Sequence, residues 1–154
     1  MKRNLLVLCA VAMFFASCNF NSPVKPANHD VLNSYVGDAV IDSDYVAEAL
    51  VVDFITSDSI KGAYIIYFHD AKFAEKMPAM DIIIDGIEKV SENTYECDNI
   101  VPDMVMGLFR IPVEKYLITN LHLVISEQSD AVTMSLKMNC GPYFLDYSGV
   151  YHGE

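Results

Sequence analysis

The sequence predicts an all-β protein with one barrel or sandwich domain, and three observations support this fold class. Val, Ile, Thr, Phe and Tyr make up about a third of the chain beyond residue 18, and these residue types suit pleated, half-buried strands. Turn-forming residues interrupt the apolar segments at short intervals. Residues 132–140 alternate between apolar and polar side chains, as expected for a strand with one buried face.

The chain of 154 residues begins with a segment typical of a secretory signal peptide. Lys2 and Arg3 precede an uninterrupted apolar stretch over residues 5–16, and small residues follow. As a helix this stretch would cover only about 18 Å, which is too short for a hydrocarbon core of about 30 Å. We therefore interpret residues 1–17 as a cleaved signal peptide rather than a transmembrane helix.

The end of this signal, Phe15-Ala16-Ser17-Cys18, resembles a bacterial lipobox. The resemblance implies diacylglyceryl transfer to the Cys18 thiol, cleavage before Cys18, and acylation (palmitate) of the new N-terminus. Phe15 departs from the usual Leu or Val, and the alternative is a plain secretory signal with an incidental cysteine. No acidic cluster follows Cys18, which favours an outer membrane anchor that faces the periplasm.

The charge balance excludes one class of partner. The chain carries 10 Lys and Arg against 21 Asp and Glu, a net charge of -11. Removal of the signal takes away Lys2 and Arg3 and no acidic residue, so the remaining chain is more acidic still. Such a field repels nucleic acid and weakens direct adhesion to anionic lipid, which leaves the Cys18 acyl chains as the membrane attachment.

Residues 18–33 contain Pro23, Pro26 and several Asn without an apolar period, and we interpret them as a flexible tether. The domain is predicted to span residues 34–154. Residues 45–54 also fit a helical turn, and residues 73–80 fit a loop or a single helical turn. Eight strands are predicted, over residues 34–42, 47–56, 62–70, 81–90, 94–100, 115–126, 131–140 and 143–152.

The order of these segments resembles the calycin-like (lipocalin-like) β-barrel lipoproteins of Gram-negative anaerobic bacteria. The resemblance covers about residues 31–154 and implies an eight-stranded antiparallel barrel, with no catalytic residue to carry over. The matching segments are 35–37 (Tyr-Val-Gly), 63–68 (Ala-Tyr-Ile-Ile-Tyr-Phe), 77–84 (Met-Pro-Ala-Met-Asp-Ile-Ile-Ile), 136–138 (Leu-Lys-Met) and 144–149 (Phe-Leu-Asp-Tyr-Ser-Gly).

The apolar side chains in phase along these strands would line the barrel interior. They either form a calyx for a small hydrophobic ligand or fill a closed core, in which case the outside of the barrel would contact an envelope protein. The predicted lining consists of Tyr64, Ile66, Phe68, Ile82, Ile84, Met134, Leu136 and Met138.

Catalytic and cofactor motifs are absent from the sequence. No G-x-S-x-G segment, phosphate-binding glycine loop or metal-ligand spacing occurs, and His69 and His122 share no ligand pattern. The sequence therefore predicts a protein that is not an enzyme and needs no cofactor or metal.

Cysteine usage leaves one question open inside the domain. Cys9 is lost with the signal, whereas Cys97 and Cys140 each lie in phase with apolar neighbours. In an oxidising compartment they can form a disulfide or remain two separate buried thiols, and spacing alone does not decide between these.

Overall fold

The computed structural model describes residues 31–152. The predicted signal peptide, Cys18 and the tether up to residue 30 lie outside the described residues. Among the described residues there is one short helical element, a 3₁₀ turn at Glu114–Tyr116, and no α-helix. The strands are β1 (Val31–Ile41), β2 (Tyr45–Thr56), β3 (Ala63–Ala71), β4 (Met80–Lys89), β5 (Thr94–Cys97), β6 (Asp103–Met106), β7 (Phe109–Pro112), β8 (Ile118–Gln128), β9 (Ala131–Cys140) and β10 (Tyr143–Tyr151).

Eight of these strands close into an antiparallel barrel. Strands β1 to β4 pair in chain order, β4 pairs with β5, and β5 pairs with β8. Strands β8, β9 and β10 continue the wall, and β10 returns to β1 along a register from Tyr35–Tyr151 to Ile41–Leu145. The predicted all-β, eight-stranded antiparallel barrel is therefore confirmed.

The structure adds a hairpin, β6–β7, in a segment for which the sequence predicts no strand. Strand β6 pairs with the N-terminal half of β4 at Asp81–Ile83, and β7 pairs with β6 alone. Each of the two strands has only four residues, which is too short to show an alternating pattern. Pro102, Gly107 and Pro112 read as turn residues in sequence, and Gly107 (φ 64°) does form the turn of the hairpin.

Residues 45–56 form a strand rather than the alternative helix, and a bulge explains their helix-like spacing. Glu48 and Ala49 stand opposite the single residue Asp38 of β1, since the flanking pairs are Ala39–Ala47 and Gly37–Leu50. The extra residue interrupts the alternation of inward and outward side chains. The buried side chains of Ala47 and Leu50 are therefore three positions apart instead of two.

The barrel interior is one continuous apolar cluster to which all eight barrel strands contribute. An aromatic group inside it joins β2, β3 and β5: the ring of Phe54 lies 5.0 Å from Tyr64 and 4.8 Å from Tyr95, and Tyr64 lies 5.0 Å from Tyr95. Edge-to-face and stacked rings at these spacings add to the stabilisation from burial alone.

Gly37 on β1 and Gly149 on β10 leave room for the close approach of the two strands and for the side chain of Tyr147. Gly37 and Gly149 are cross-strand partners. A Cβ on Gly37 would collide with the backbone carbonyl of Ser148, and a Cβ on Gly149 would collide with the side chain of Tyr147. The Tyr147 hydroxyl donates to the backbone oxygen of Leu50 at 3.3 Å, so the ring ties β10 to β2 across the interior.

The core predicts the cost of truncating one of its side chains. Leu136 is fully buried between Leu123 of β8 and Tyr147 of β10, so Leu136→Ala should lower the free energy of unfolding by about 3 kcal/mol. Urea denaturation of the variant and the wild type measures this loss. Ser135→Ala, at the exposed neighbouring position, should change it by less than about 0.5 kcal/mol. Equal losses in both variants would contradict a close-packed interior.

Candidate functional site

Of the eight side chains that the sequence predicted as a ligand-binding lining, seven belong to the interior cluster and Tyr64 packs against it. Seven of them are fully buried, and Tyr64 is partly buried between Phe54 and Tyr95. They pack against large side chains from the facing strands, including Tyr35, Phe54 and Tyr147. Their near-zero exposure is that of side chains packed in a filled barrel core.

A cleft of about 620 Å³ opens in the barrel wall where β4 and β5 separate, and we call it the β4–β5 cleft. It arises because β4 and β5 share only two residue pairs, Glu88–Glu96 and Lys89–Tyr95. The cleft is lined by Gly86, Glu88, Val90, Glu96, Cys97, Asp98, Ile100, Asn120, Leu121 and His122.

Carboxylates dominate the polar lining of the β4–β5 cleft. Glu96 Oε1 lies 2.9 Å from His122 Nδ1, and both side chains are about half exposed. Asp98 Oδ1 accepts the backbone N–H of Asn120 at 3.2 Å. A cleft of this kind suits solvent or a polar group better than the hydrophobic ligand predicted for the interior. In the described part of the chain, no three His, Cys, Asp or Glu side chains are grouped so as to hold a metal ion.

Cys97 and Cys140 are separate free thiols in the structure rather than a disulfide; Cys140 is buried, whereas Cys97 is only partly buried and lines the β4–β5 cleft. Cys97 pairs with Leu121 on one edge of β8, whereas Cys140 pairs with Ile118 on the other edge. Three residues along a strand cover about 10 Å, so the two Cα atoms are farther apart than the roughly 7 Å that a disulfide allows.

Burial, partial for Cys97 and complete for Cys140, raises the pKa of both thiols. It raises the pKa of Cys97 from 9.0 to about 12, with a further contribution from the Asp98 carboxylate, and it raises the pKa of Cys140 to about 12. The thiolate is the nucleophile, so neither side chain has the depressed pKa of a catalytic cysteine.

On the outer faces of β2, β3 and β4, four polar side chains form two hydrogen-bonded pairs that the sequence did not predict. His69 Nε2 lies 2.8 Å from Asp53 Oδ2, and the Tyr67 hydroxyl donates to Asp81 Oδ2 at 2.6 Å. Burial, and then the hydrogen bond to Asp81, raise the pKa of Tyr67 above its usual range. Asp53 and His69 are 16 positions apart, and only the strand pairing brings them together. Asp53 lies between apolar residues of a predicted strand, and this was the only indication of a buried polar pair in the sequence.

The β6–β7 hairpin presents the most exposed apolar side chains among the described residues. Leu108 at the turn is 99% exposed and Phe109 is 72% exposed, and Met106 and Ile111 extend the same apolar surface. On the barrel side the hairpin is fixed by Met104, which is buried in the interior cluster, and by Val105, which packs on an outer cluster around Tyr67 and Ile83. Exposed apolar patches of this kind typically mark interaction surfaces.

No protein-family model, curated protein or solved structure matches this chain. Within residues 31–152, no helix is long and apolar enough to cross a membrane.

The raised pKa values of the two thiols predict slow alkylation. At pH 8 a rise from 9.0 to about 12 lowers the thiolate fraction about a thousandfold, so iodoacetamide should modify Cys97 and Cys140 very slowly in the folded protein. Peptide mass spectrometry reads the modification at each position, with protein unfolded in guanidinium as the control. Rapid alkylation of either thiol in folded protein, or a Cys97–Cys140 peptide pair before reduction, would contradict the structure.

Proposed function

We propose that this protein is a lipid-anchored lipoprotein of the cell envelope whose barrel is a non-catalytic interaction module. The observation that carries the proposal is the contrast between a filled interior and an exposed apolar hairpin. The interior offers packed side chains, whereas the hairpin presents Leu108 and Phe109 to the surroundings. In this proposal the β6–β7 hairpin is the contact surface, and the Cys18 acyl chains hold the protein at the outer membrane, facing the periplasm.

The positions of the barrel ends favour a protein partner over the anchoring membrane. Val31 pairs with Ile55 near the end of β2, so the described chain enters at the end that carries the β2–β3 connection. Strand β6 runs antiparallel to β4, so the hairpin turn after Met106 lies at the opposite end. The tether in this proposal therefore meets the barrel at the end remote from the hairpin, and this placement supports a contact between the hairpin and other envelope proteins.

The hairpin is suited to binding through its side chains rather than by accepting an added strand. Strand β7 pairs only with β6 and so has an open edge. That edge is four residues long, and it ends at Pro112, which has no N–H to donate. The partner that fits is therefore a protein with an apolar groove for Leu108 and Phe109. Because this chain is strongly acidic, a basic rim around the groove would complement it.

The alternative function is the binding of a small hydrophobic molecule in the barrel interior. Met134 and Met138 favour it, because unbranched methionine side chains adapt to a guest more readily than branched ones. A ligand would have to separate side chains that now fill the core, such as Phe68 and Leu136. Native mass spectrometry of protein purified from cells distinguishes the two functions, since a bound apolar molecule would add a defined mass.

The interaction proposal predicts a partner-specific crosslink. A photo-reactive residue at Leu108 should crosslink in cells to one envelope protein, whereas the same residue at Ile60, which is exposed at the opposite end of the barrel, should not. With that partner purified, the double variant Leu108→Ser, Phe109→Ser should bind at least tenfold more weakly, because truncated aromatic and aliphatic anchors typically dominate an interface.

Any other result of the crosslinking experiment contradicts the interaction proposal. Adducts only with a second copy of this chain would make the hairpin a self-association surface, and adducts only with lipid would place it in a membrane. An unchanged affinity of the double variant would remove the hairpin from the interface. Ile60→Ser is the matched control for loss of an exposed apolar side chain, and it should leave binding unchanged.

The anchor is tested separately. Cys18→Ser should release the protein from the membrane fraction into the periplasm, since the thiol that accepts the diacylglyceryl group is lost. Cell fractionation followed by immunoblotting measures the distribution, and metabolic labelling with a palmitate analogue should mark the wild type alone. Retention of the variant in membranes in a processed form would rule out the lipid anchor, without bearing on the hairpin.

A further inference from the structure

Met106 of the β6–β7 hairpin differs from the other methionines that the structure describes, because its thioether is open to solvent. Met106 is 61% exposed. The remaining methionines within residues 31–152 pack in or against the interior cluster: Met77, Met80, Met104, Met134 and Met138. Oxidation of a thioether requires contact with the oxidant, so the fold leaves the sulfur of Met106 as the accessible target.

The pairing of the hairpin places Met106 inside its apolar surface. Met106 pairs directly with Phe109 across the two strands, and the pair Met104–Ile111 continues the same face toward the barrel. Side chains of directly opposite residues are close neighbours, with Cβ atoms about 4.5–5.5 Å apart. Leu108, which is 99% exposed, lies in the turn between Met106 and Phe109. A partner that covers Leu108 and Phe109 therefore covers Met106 as well.

Oxidation would make this apolar side chain polar without changing its charge. A sulfur lone pair attacks one oxygen of hydrogen peroxide, the O–O bond breaks, and one oxygen atom is transferred. The thioether loses two electrons and becomes a sulfoxide, and the peroxide is reduced to water. The sulfoxide oxygen is a polar acceptor, and its burial in an apolar groove without a donor is unfavourable. Methionine sulfoxide reductases reverse the change, since two thiols are oxidised to a disulfide and the oxygen leaves as water.

We propose that Met106 is a reversible oxidation site, at which a neutral peroxide switches the β6–β7 hairpin from a binding to a non-binding surface. The effect on binding rests on the interaction function proposed above, whereas the selectivity for Met106 rests on its exposure alone. The oxidant is a neutral one because a strongly acidic chain repels anionic oxidants.

The two thiols of the domain compete poorly for the same oxidant. Peroxide oxidises the thiolate form of cysteine, and the pKa of both Cys97 and Cys140 is raised to about 12, mainly by burial. A thioether has no proton to lose, so Met106 reacts without this restriction. The rate of its oxidation should therefore not depend on pH near neutrality.

Peptide mass spectrometry of the purified full-length protein during treatment with hydrogen peroxide tests the selectivity. Met106 should gain one oxygen about tenfold faster than any other methionine of the barrel, because those thioethers are shielded. In guanidinium all methionines should react at similar rates, which shows that the fold is the source of the selectivity. Similar rates for Met106 and Met134 in the folded protein would overturn the proposal.

The partner captured through Leu108 tests the effect on binding. Oxidised wild-type protein should bind it about tenfold more weakly, and treatment with methionine sulfoxide reductase should restore the affinity. Met106→Leu keeps an apolar side chain without sulfur, so its binding should be normal and insensitive to peroxide. Met134→Leu is the matched control, since it removes a buried methionine and should leave the sensitivity unchanged. Unchanged affinity after oxidation of Met106 would overturn this inference alone, whereas unchanged affinity of the Leu108→Ser, Phe109→Ser variant would overturn the interaction proposal.

Chromatography on a phenyl matrix tests the hairpin surface without a partner. Wild-type protein oxidised at Met106 should be retained less than untreated protein, because the exposed apolar surface has become more polar. Peroxide should not change the retention of Met106→Leu. Equal retention of oxidised and untreated wild type would overturn the proposal, since the sulfoxide would then leave the hairpin surface unaltered.

Discussion

Closure of the barrel depends on β5, a strand of four residues that joins β4 to β8. Only two residue pairs connect β4 to β5, so the backbone alone holds this seam weakly. Tyr95 reinforces it from the inside by packing its ring against Phe54 and Tyr64. Because β5 is so short, the N-terminal half of β4 has no barrel strand on that side and pairs with β6 instead. The β4–β5 cleft and the β6–β7 hairpin are thus two consequences of one short strand.

Acidic side chains have a structural role at three irregular points of the wall. Ala49, Asp70 and Asn120 each have a left-handed φ, and each donates its backbone N–H to an aspartate carboxylate, on Asp38, Asp81 and Asp98 respectively. A bulge removes its extra residue from the ladder and leaves a donor to be satisfied. The carboxylates supply that acceptor, so part of the high acidic content of the chain stabilises irregular backbone.

The regular part of this fold was predictable from sequence because alternation and turn residues are local signals. Strands β8 to β10 match their predicted spans closely, and the eight predicted interior side chains either belong to the core cluster or, for Tyr64, pack against it. The irregular part was not predictable, because bulges are set by pairing between strands. The bulge at Ala49 made β2 resemble a helix, and the pairing of Asp53 with His69 exists only because β2 and β3 are neighbours. The β6–β7 hairpin was missed because four-residue strands between prolines carry too little pattern.

The irregular places of the barrel wall expose groups that the regular wall does not. Along each strand the inward residues belong to the core. Some outward residues form solvated pairs such as Lys137–Asp146 at 3.1 Å, which contribute little energy, whereas those around Tyr67 and Ile83 form a buried outer cluster. What remains are the positions where the ladder is interrupted: the extra hairpin on β4 and the gap between β2 and β3. The hairpin exposes the apolar side chains of Leu108 and Phe109, and the gap between β2 and β3 begins where their pairing ends, beside the buried pair of His69 and Asp53. The side chains exposed at the hairpin turn, Leu108 and Phe109, lie outside the interior cluster, so substitutions at these two positions need not disturb the packing of the core.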